Sequence, residues 1–430
     1  MKKTVFFIAY LLLATGMAYS QSVAPFVKGD RVAFLGNSIT CGGHYHSYIW
    51  LYYMTRFPDQ RIDIFNEGIG GDVAKQMYER MDKVFEHKPT VVTLSFGMND
   101  TGYKDYTDPA NVETGRQNVA TACKDYELIE KLYKRHANVK KILISSSPYD
   151  ETSCFNKAPF PGKNELIREI GDFLKGRADM NEWGFVDFNR GMTAINQREQ
   201  QLDSIFTLCG RDRVHPSTDG HMVMAYLFLK AQGFTHKPVA DIRINASNRV
   251  VDRAENCRIT DLSVSPEGVR FTYLAQALPY PIDSSRYENE LHTQADALNV
   301  IPFMEEMNYE GLTVFGLSDG YYMLKIEDEV IARLTAGELK RGINLASYGN
   351  TPQYKQAQQL RAMNEKRWLM ERQMREYFWM EYNVMRKAEL LWASNQAAVD
   401  TLREQRKTNP FVRMNTDYWL RFMNQGIRED

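Results

Sequence analysis

Arg31-Val32-Ala33-Phe34-Leu35-Gly36-Asn37-Ser38-Ile39-Thr40 is the stretch on which the reading of this chain turns. Residues 32–35 form a short continuous apolar run, the pattern of a strand buried on both faces of a parallel sheet. The run ends in a glycine, a side-chain amide and a hydroxyl. Working outward, similar short runs recur at 62–66, 91–95, 142–146 and 185–187. Helical patterns lie between them at 48–57, 73–85, 112–135 and 164–177. Strand alternating with helix predicts a three-layer αβα domain with a mostly parallel five-stranded sheet, spanning residues 21–236.

The rest of the chain has a different texture. Lys2 and Lys3 precede an apolar run from Val5 to Ala18, and Ala18-Tyr19-Ser20 offers small residues for cleavage, so 1–20 reads as a signal peptide. The run is shorter than the roughly 20 apolar residues a spanning helix needs, which predicts export without stable membrane insertion. In an oxidising compartment Cys41, Cys123, Cys154, Cys209 and Cys257 can form one or two disulfides, with at least one thiol left over. Residues 237–350 show short alternating runs with turns such as Ser318-Asp319-Gly320, which predicts a small antiparallel β-rich unit. From 351 to 430 glycine almost disappears and a helical segment is expected. Composition excludes other classes. Of 430 residues 43% are hydrophobic and 25% charged, too apolar for a disordered chain. Fifty-three basic residues against 54 acidic ones leave no excess for nucleic-acid binding.

In an open α/β sheet, ligands bind beyond the carboxyl ends of the strands. The first strand runs into Ser38, the second into Asn66-Glu67-Gly68-Ile69-Gly70-Gly71-Asp72, and the third into Gly97-Met98-Asn99-Asp100. The loop after the last strand carries Asp212-Arg213-Val214-His215-Pro216. That inventory suits acyl transfer. Ser38 can attack a carbonyl once His215 takes its proton, and Asp212 can fix the imidazole tautomer. The amides of Ser38 and Gly71 and the side chain of Asn99 can hold the oxyanion.

These four blocks resemble the SGNH/GDSL hydrolase superfamily in type, order and spacing. The resemblance implies an SGNH, flavodoxin-like domain with Ser38 as nucleophile, Asp212 and His215 completing the triad, and Ser38, Gly71 and Asn99 as the oxyanion hole. Asn37 departs from the usual Asp of the first block, and Gly70-Gly71 leaves the oxyanion glycine open by one residue. Gly320-Tyr321-Tyr322 and Gly342-Ile343-Asn344-Leu345-Ala346 look like a C-terminal extension of some exported bacterial members. The resemblance further implies an ester substrate, with removal of acetyl groups from a carbohydrate as the specific expectation. A lipase-like acylhydrolase, or a non-catalytic glycan-binding protein on the same scaffold, is the alternative.

Other residues carry less. His44, Tyr45 and His46 follow the nucleophile and are expected to line the substrate pocket. With Cys41 they fit no common zinc spacing, so neither metal nor other cofactor is expected. His221 reads as structural, and Asp100 as orienting its loop. The 367–392 stretch interleaves Trp and Met with Arg and Glu, so it is expected to pack on the catalytic domain or to join two copies of the chain.

Overall fold

The computed structural model describes residues 23–155, 157–265, 268–287 and 290–425. The signal peptide expected at 1–20 lies outside them.

Five parallel strands form the main sheet: β1 (Arg31–Gly36), β2 (Asp63–Gly68), β3 (Val91–Phe96), β4 (Lys140–Ser145) and β5 (Gly184–Val186). Their order is β2-β1-β3-β4-β5, with Phe34 opposite Asn66 on one side and Thr93 on the other. Side chains alternate between faces. Val32 and Phe34 enter one apolar cluster with α2 (Tyr45–Arg56) and, later in the chain, α7 (Phe188–Glu199) and α8 (Thr218–Ala231). Ala33 and Leu35 enter the other, against α3 (Ala74–Glu79), α4 (Met81–Glu86), α5 (Pro109–Arg135) and α6 (Lys163–Asn181). Burial on both faces is why these strands read as continuous apolar runs. The single helix expected over 73–85 divides at Arg80, whose buried guanidinium turns inward to Asp72 Oδ2 (2.7 Å) and to the carbonyls of Gly36 and Glu67. α7 follows the last strand directly, started by the Asp187 carboxylate accepting from Arg190 N–H. The short α1 (Ser38–Cys41) follows β1.

Beyond Pro238, β6 (Ala240–Asn245), β7 (Val250–Glu255), β10 (Glu310–Phe315) and β13 (Ile343–Asn344) form a second sheet. The wholly antiparallel expectation fails at its centre, where β6 and β10 run parallel. The long connection between them supplies the crossover such a pair needs. Antiparallel hairpins β8 (Cys257–Ser265) with β9 (Gly268–Ala275), and β11 (Tyr321–Ile326) with β12 (Glu329–Thr335), complete the β-rich region, followed by α10 (Ala336–Arg341). The intervening Tyr280, Ile301 and Met307, near α9 (Phe303–Glu306), pack into the cluster of α2 and α8 instead. Arg56 staples this arrangement by donating to the carbonyls of Met307, Lys237 and Pro238.

The chain closes with α11 (Pro352–Met380), a π-turn at Glu381–Met385, α12 (Gln396–Thr408) and α13 (Pro410–Gln425). The Glu381 carboxylate accepts from Trp392 N–H and the Trp419 indole, both at 2.8 Å, and holds this helical hairpin together. α11 packs along α2 and the open edge of β2. There Asn66 N–H, unused by any strand, donates to Glu371 Oε1 (2.7 Å). All five cysteines are free, so the expected disulfides are absent. Among the described residues no helix is long and apolar enough to cross a membrane.

Candidate active site

The strand order reverses direction between β1 and β3, and ligands in open α/β sheets bind at such a switch point. Ser38 stands two residues beyond β1 and Asn99 three beyond β3. Asn37 caps α1, its Oδ1 accepting from Ile39 N–H at 3.0 Å. An amide oxygen meets this need as well as a carboxylate would, so the departure at this position leaves the turn intact. The turn packs on the second loop without room to spare. A Cβ on Gly68 would meet the Cys41 backbone at 2.1 Å, and Asn66 Nδ2 donates to Cys41 O.

The last loop brings an imidazole to the hydroxyl. His215 Nε2 lies 2.8 Å from Ser38 Oγ, and its Nδ1 lies 2.5 Å from Asp212 Oδ2. A carboxylate at Nδ1 keeps the proton on that nitrogen, so Nε2 accepts from Ser38. The other Asp212 oxygen accepts from the N–H groups of Val214 and His215. Burial pushes the Asp212 carboxyl up, but these hydrogen bonds and the imidazole outweigh it and hold the pKa at about 2. Between them Arg213 adopts a left-handed backbone (φ 71°) and buries its guanidinium among the carbonyls of Asp150, Ser153, Phe155 and Lys157. Sequence reading passed over Arg213, although a charged residue inside such a block was the available signal.

The opposite wall is built around Asn99. Tyr103 O–H donates to Asn99 Oδ1 (2.9 Å), which fixes the amide so that Nδ2 donates to Asp72 O (3.1 Å). Asp100 rivets two loops together, its oxygens accepting from Gly97 N–H and Ala74 N–H; burial raises its pKa to about 6. Beneath it, the fully buried Lys163 donates to Met98 O, Thr101 Oγ1 and Gly102 O and lies 3.9 Å from the centre of the Tyr103 ring. Burial lowers its pKa to about 7. Gly71 holds φ at +83°, a conformation that favours glycine, and its N–H takes no hydrogen bond among the described residues.

His44, Tyr45 and His46 do not line the crevice as expected. The chain turns inward at Gly43, and all three side chains are buried. His44 stacks on Trp368 of α11 with ring centres 3.7 Å apart. Tyr45 hydrogen-bonds Thr40 Oγ1 (3.0 Å), and His46 donates to Thr40 O (3.2 Å) while burial lowers its pKa to about 3. His221 is buried behind them, with its Nδ1 unpartnered among the described residues. The Cys41 thiol, pushed up to about 12 by burial with Glu376 adding to the shift, is no rival nucleophile. The crevice itself is open, with the His215 and Asp212 side chains 49% and 43% exposed. A groove of about 1010 Å³, lined by Trp50, Tyr273 and Leu360 among others, lies instead at the amino end of β2.

Residues 34–223 match the GDSL-like lipase/acylhydrolase family, and residues 358–430 match the diltiazem deacetylase C-terminal helical domain. The structure of a gut microbial diltiazem-metabolizing enzyme is 45% identical, with a TM-score of 0.91 over 94% of this chain and 92% of that one. The acetylxylan esterase of Geobacillus stearothermophilus is 25% identical over 224 residues, 48% of this chain and 95% of its own. A likeness spanning both the α/β domain and the helical tail settles the relationship: the chain belongs to the SGNH/GDSL hydrolase superfamily and is an ester-hydrolysing enzyme.

Proposed function

We propose that this is an exported serine esterase that removes acetyl groups through an acetyl-enzyme. Ser38 Oγ attacks the ester carbonyl while His215 Nε2 takes its proton, and Asp212 stabilises the imidazolium formed. The oxyanion is held by the N–H groups of Ser38 and Gly71 and by Asn99 Nδ2. Collapse expels the alcohol, protonated by His215. Water, deprotonated by the same imidazole, then releases acetate and frees Ser38. The observation that carries this reading is the unbroken relay of 2.8 Å and 2.5 Å from hydroxyl to imidazole to carboxylate. Acetyl as the acyl group is supported by the likeness to a diltiazem-metabolizing enzyme and an acetylxylan esterase. An O-acetylated carbohydrate is the proposed natural ester. Diltiazem is the small-molecule candidate, favoured by 45% identity along nearly the whole chain. The near-neutral charge favours neither a polyanion nor a polycation.

The test compares wild type with Ser38→Ala on p-nitrophenyl acetate and octanoate, then follows acetate release from acetylated xylooligosaccharides and from diltiazem. Acetyl ester hydrolysis by wild type alone, with fluorophosphonate labelling lost in Ser38→Ala, is expected. Equal rates in the two proteins refute the nucleophile. Preference for octanoate favours the lipase-like reading, and glycan binding without any labelling favours a binding protein.

A further inference from the structure

The oxyanion reading leaves one peptide unit without support from its own domain. Gly70 and Gly71 are consecutive glycines, so the plane between them can turn over at little steric cost. The carbonyl of Gly70 and the N–H of Gly71 belong to that one trans peptide and point in opposite directions. A turned plane would replace the donor facing the oxyanion with a carbonyl oxygen, an acceptor where negative charge develops.

The Gly70 carbonyl does not lie free. It accepts from the indole N–H of Trp379 at 3.0 Å, and a Cβ on Gly70 would meet that ring at 3.4 Å. Trp379 sits near the end of α11, which runs along the outer edge of β2, with β1 and Ser38 on the other side of the loop. The helix is itself fixed in place. Trp368 donates to Gly43 O (3.0 Å), Glu371 accepts from Asn66 N–H (2.7 Å), and Arg375 reaches Glu67 Oε2 (2.6 Å), with both partners of that ion pair buried. The indole also packs against Phe411 of α13, ring centres 4.1 Å apart. An indole packed in this way and carried on a fixed helix is a constrained donor aimed at one carbonyl.

We infer that Trp379 is a positioning residue for the esterase reaction: by holding the Gly70 carbonyl outward it presents the Gly71 N–H to the oxyanion. The helical tail is then a working part of the active site rather than an appendage. The inference rests on the oxyanion role proposed above and resolves which of the two glycines donates.

The experiment measures kcat, KM and inhibition by a boronic acid, which forms a tetrahedral adduct with the serine, for wild type, Trp379→Phe and Trp419→Phe. The second variant deletes another buried indole bond of the same helical region, to Glu381, and leaves the Trp379 bond to Gly70 in place. Trp379→Phe should lose about 10–100-fold in kcat, less than the full loss of an oxyanion donor. Its KM should stay within about threefold, and boronate affinity should fall in step with kcat. Trp419→Phe should be less stable yet keep its kcat. Unchanged kcat in Trp379→Phe, an equal loss in Trp419→Phe, or unchanged boronate affinity overturns the inference. If Trp379→Phe does not fold, Trp379→His and Trp379→Met replace it, since only the former keeps a ring N–H. Higher kcat in the His variant supports the bond, and equal values overturn it. Fluorophosphonate labelling of wild-type Ser38 reports on the serine esterase reading independently of either tryptophan.

Discussion

The two walls of the crevice are held in different ways. The wall carrying the base supports itself from nearby chain. Asp212 and His215 are three residues apart, and Arg213 between them grips carbonyls from Asp150 to Lys157 of the same domain. The wall that would receive the oxyanion is tied to residues 305 to 309 positions further along, through Glu371 and Trp379. A base needs a direction, which a tight loop with a buried guanidinium can set locally. A glycine peptide at an open sheet edge has no side chain to anchor it and takes its orientation from outside.

Replacing Asp212 with alanine probes the self-supporting wall and should have the largest effect. A loss of about 10⁴-fold in kcat is expected, because the imidazole loses its tautomer control. The fold should persist in the same variant, since the Arg213 clamp remains; unfolding at ambient temperature would show that the two devices are not separate. The shored wall answers differently. Arg375→Met removes one of three cations facing Glu67, whose carboxyl burial pushes up but Arg375, His87 and Arg80 together hold at about 2. Leaving a buried charge alone costs about 3–5 kcal/mol; with His87 and Arg80 still beside Glu67, denaturant unfolding should register only a part of that. Linkage gives this a sign. A carboxyl depressed from 4.5 to about 2 adds stability that is complete above pH 4.5 and is lost as pH falls toward 2. Wild type should therefore lose stability across that window more steeply than Glu67→Gln, and parallel curves would remove Glu67 from the account. The smallest effect is expected from Tyr103→Phe, which frees the Asn99 amide to turn. One hydrogen bond of about 1 kcal/mol corresponds to roughly fivefold in kcat; no change would mean that the contact with Asp72 O alone holds Asn99.

The same division explains what could be read from the sequence. β1, β3 and β4 were legible because strands buried on both faces are written as largely apolar runs. Ser38, Asp212 and His215 were legible because each local block places chemistry at the end of a strand or in a tight loop. Tyr103, Lys163 and Trp379 were not, since each acts through a contact that no local period announces. His44, Tyr45 and His46 misled for a related reason. Their nearness to Ser38 along the chain suggested a place in the crevice, whereas the turn at Gly43 and the start of α2 bury all three. The parallel pairing of β6 with β10 was hidden in the same way, because short alternating runs do not reveal which strand lies beside which.

The Glu371 contact on the outer strand has a consequence for the order of synthesis. A ribosome delivers the whole αβα layer long before α11, so the Asn66 edge emerges with its backbone donor uncovered. Uncovered edges recruit other strands. Until the last helices arrive, the half-made protein carries an adhesive border, and the tail that completes it also serves as the seal. Grafting the αβα layer alone onto another protein would carry that border along with the catalytic groups.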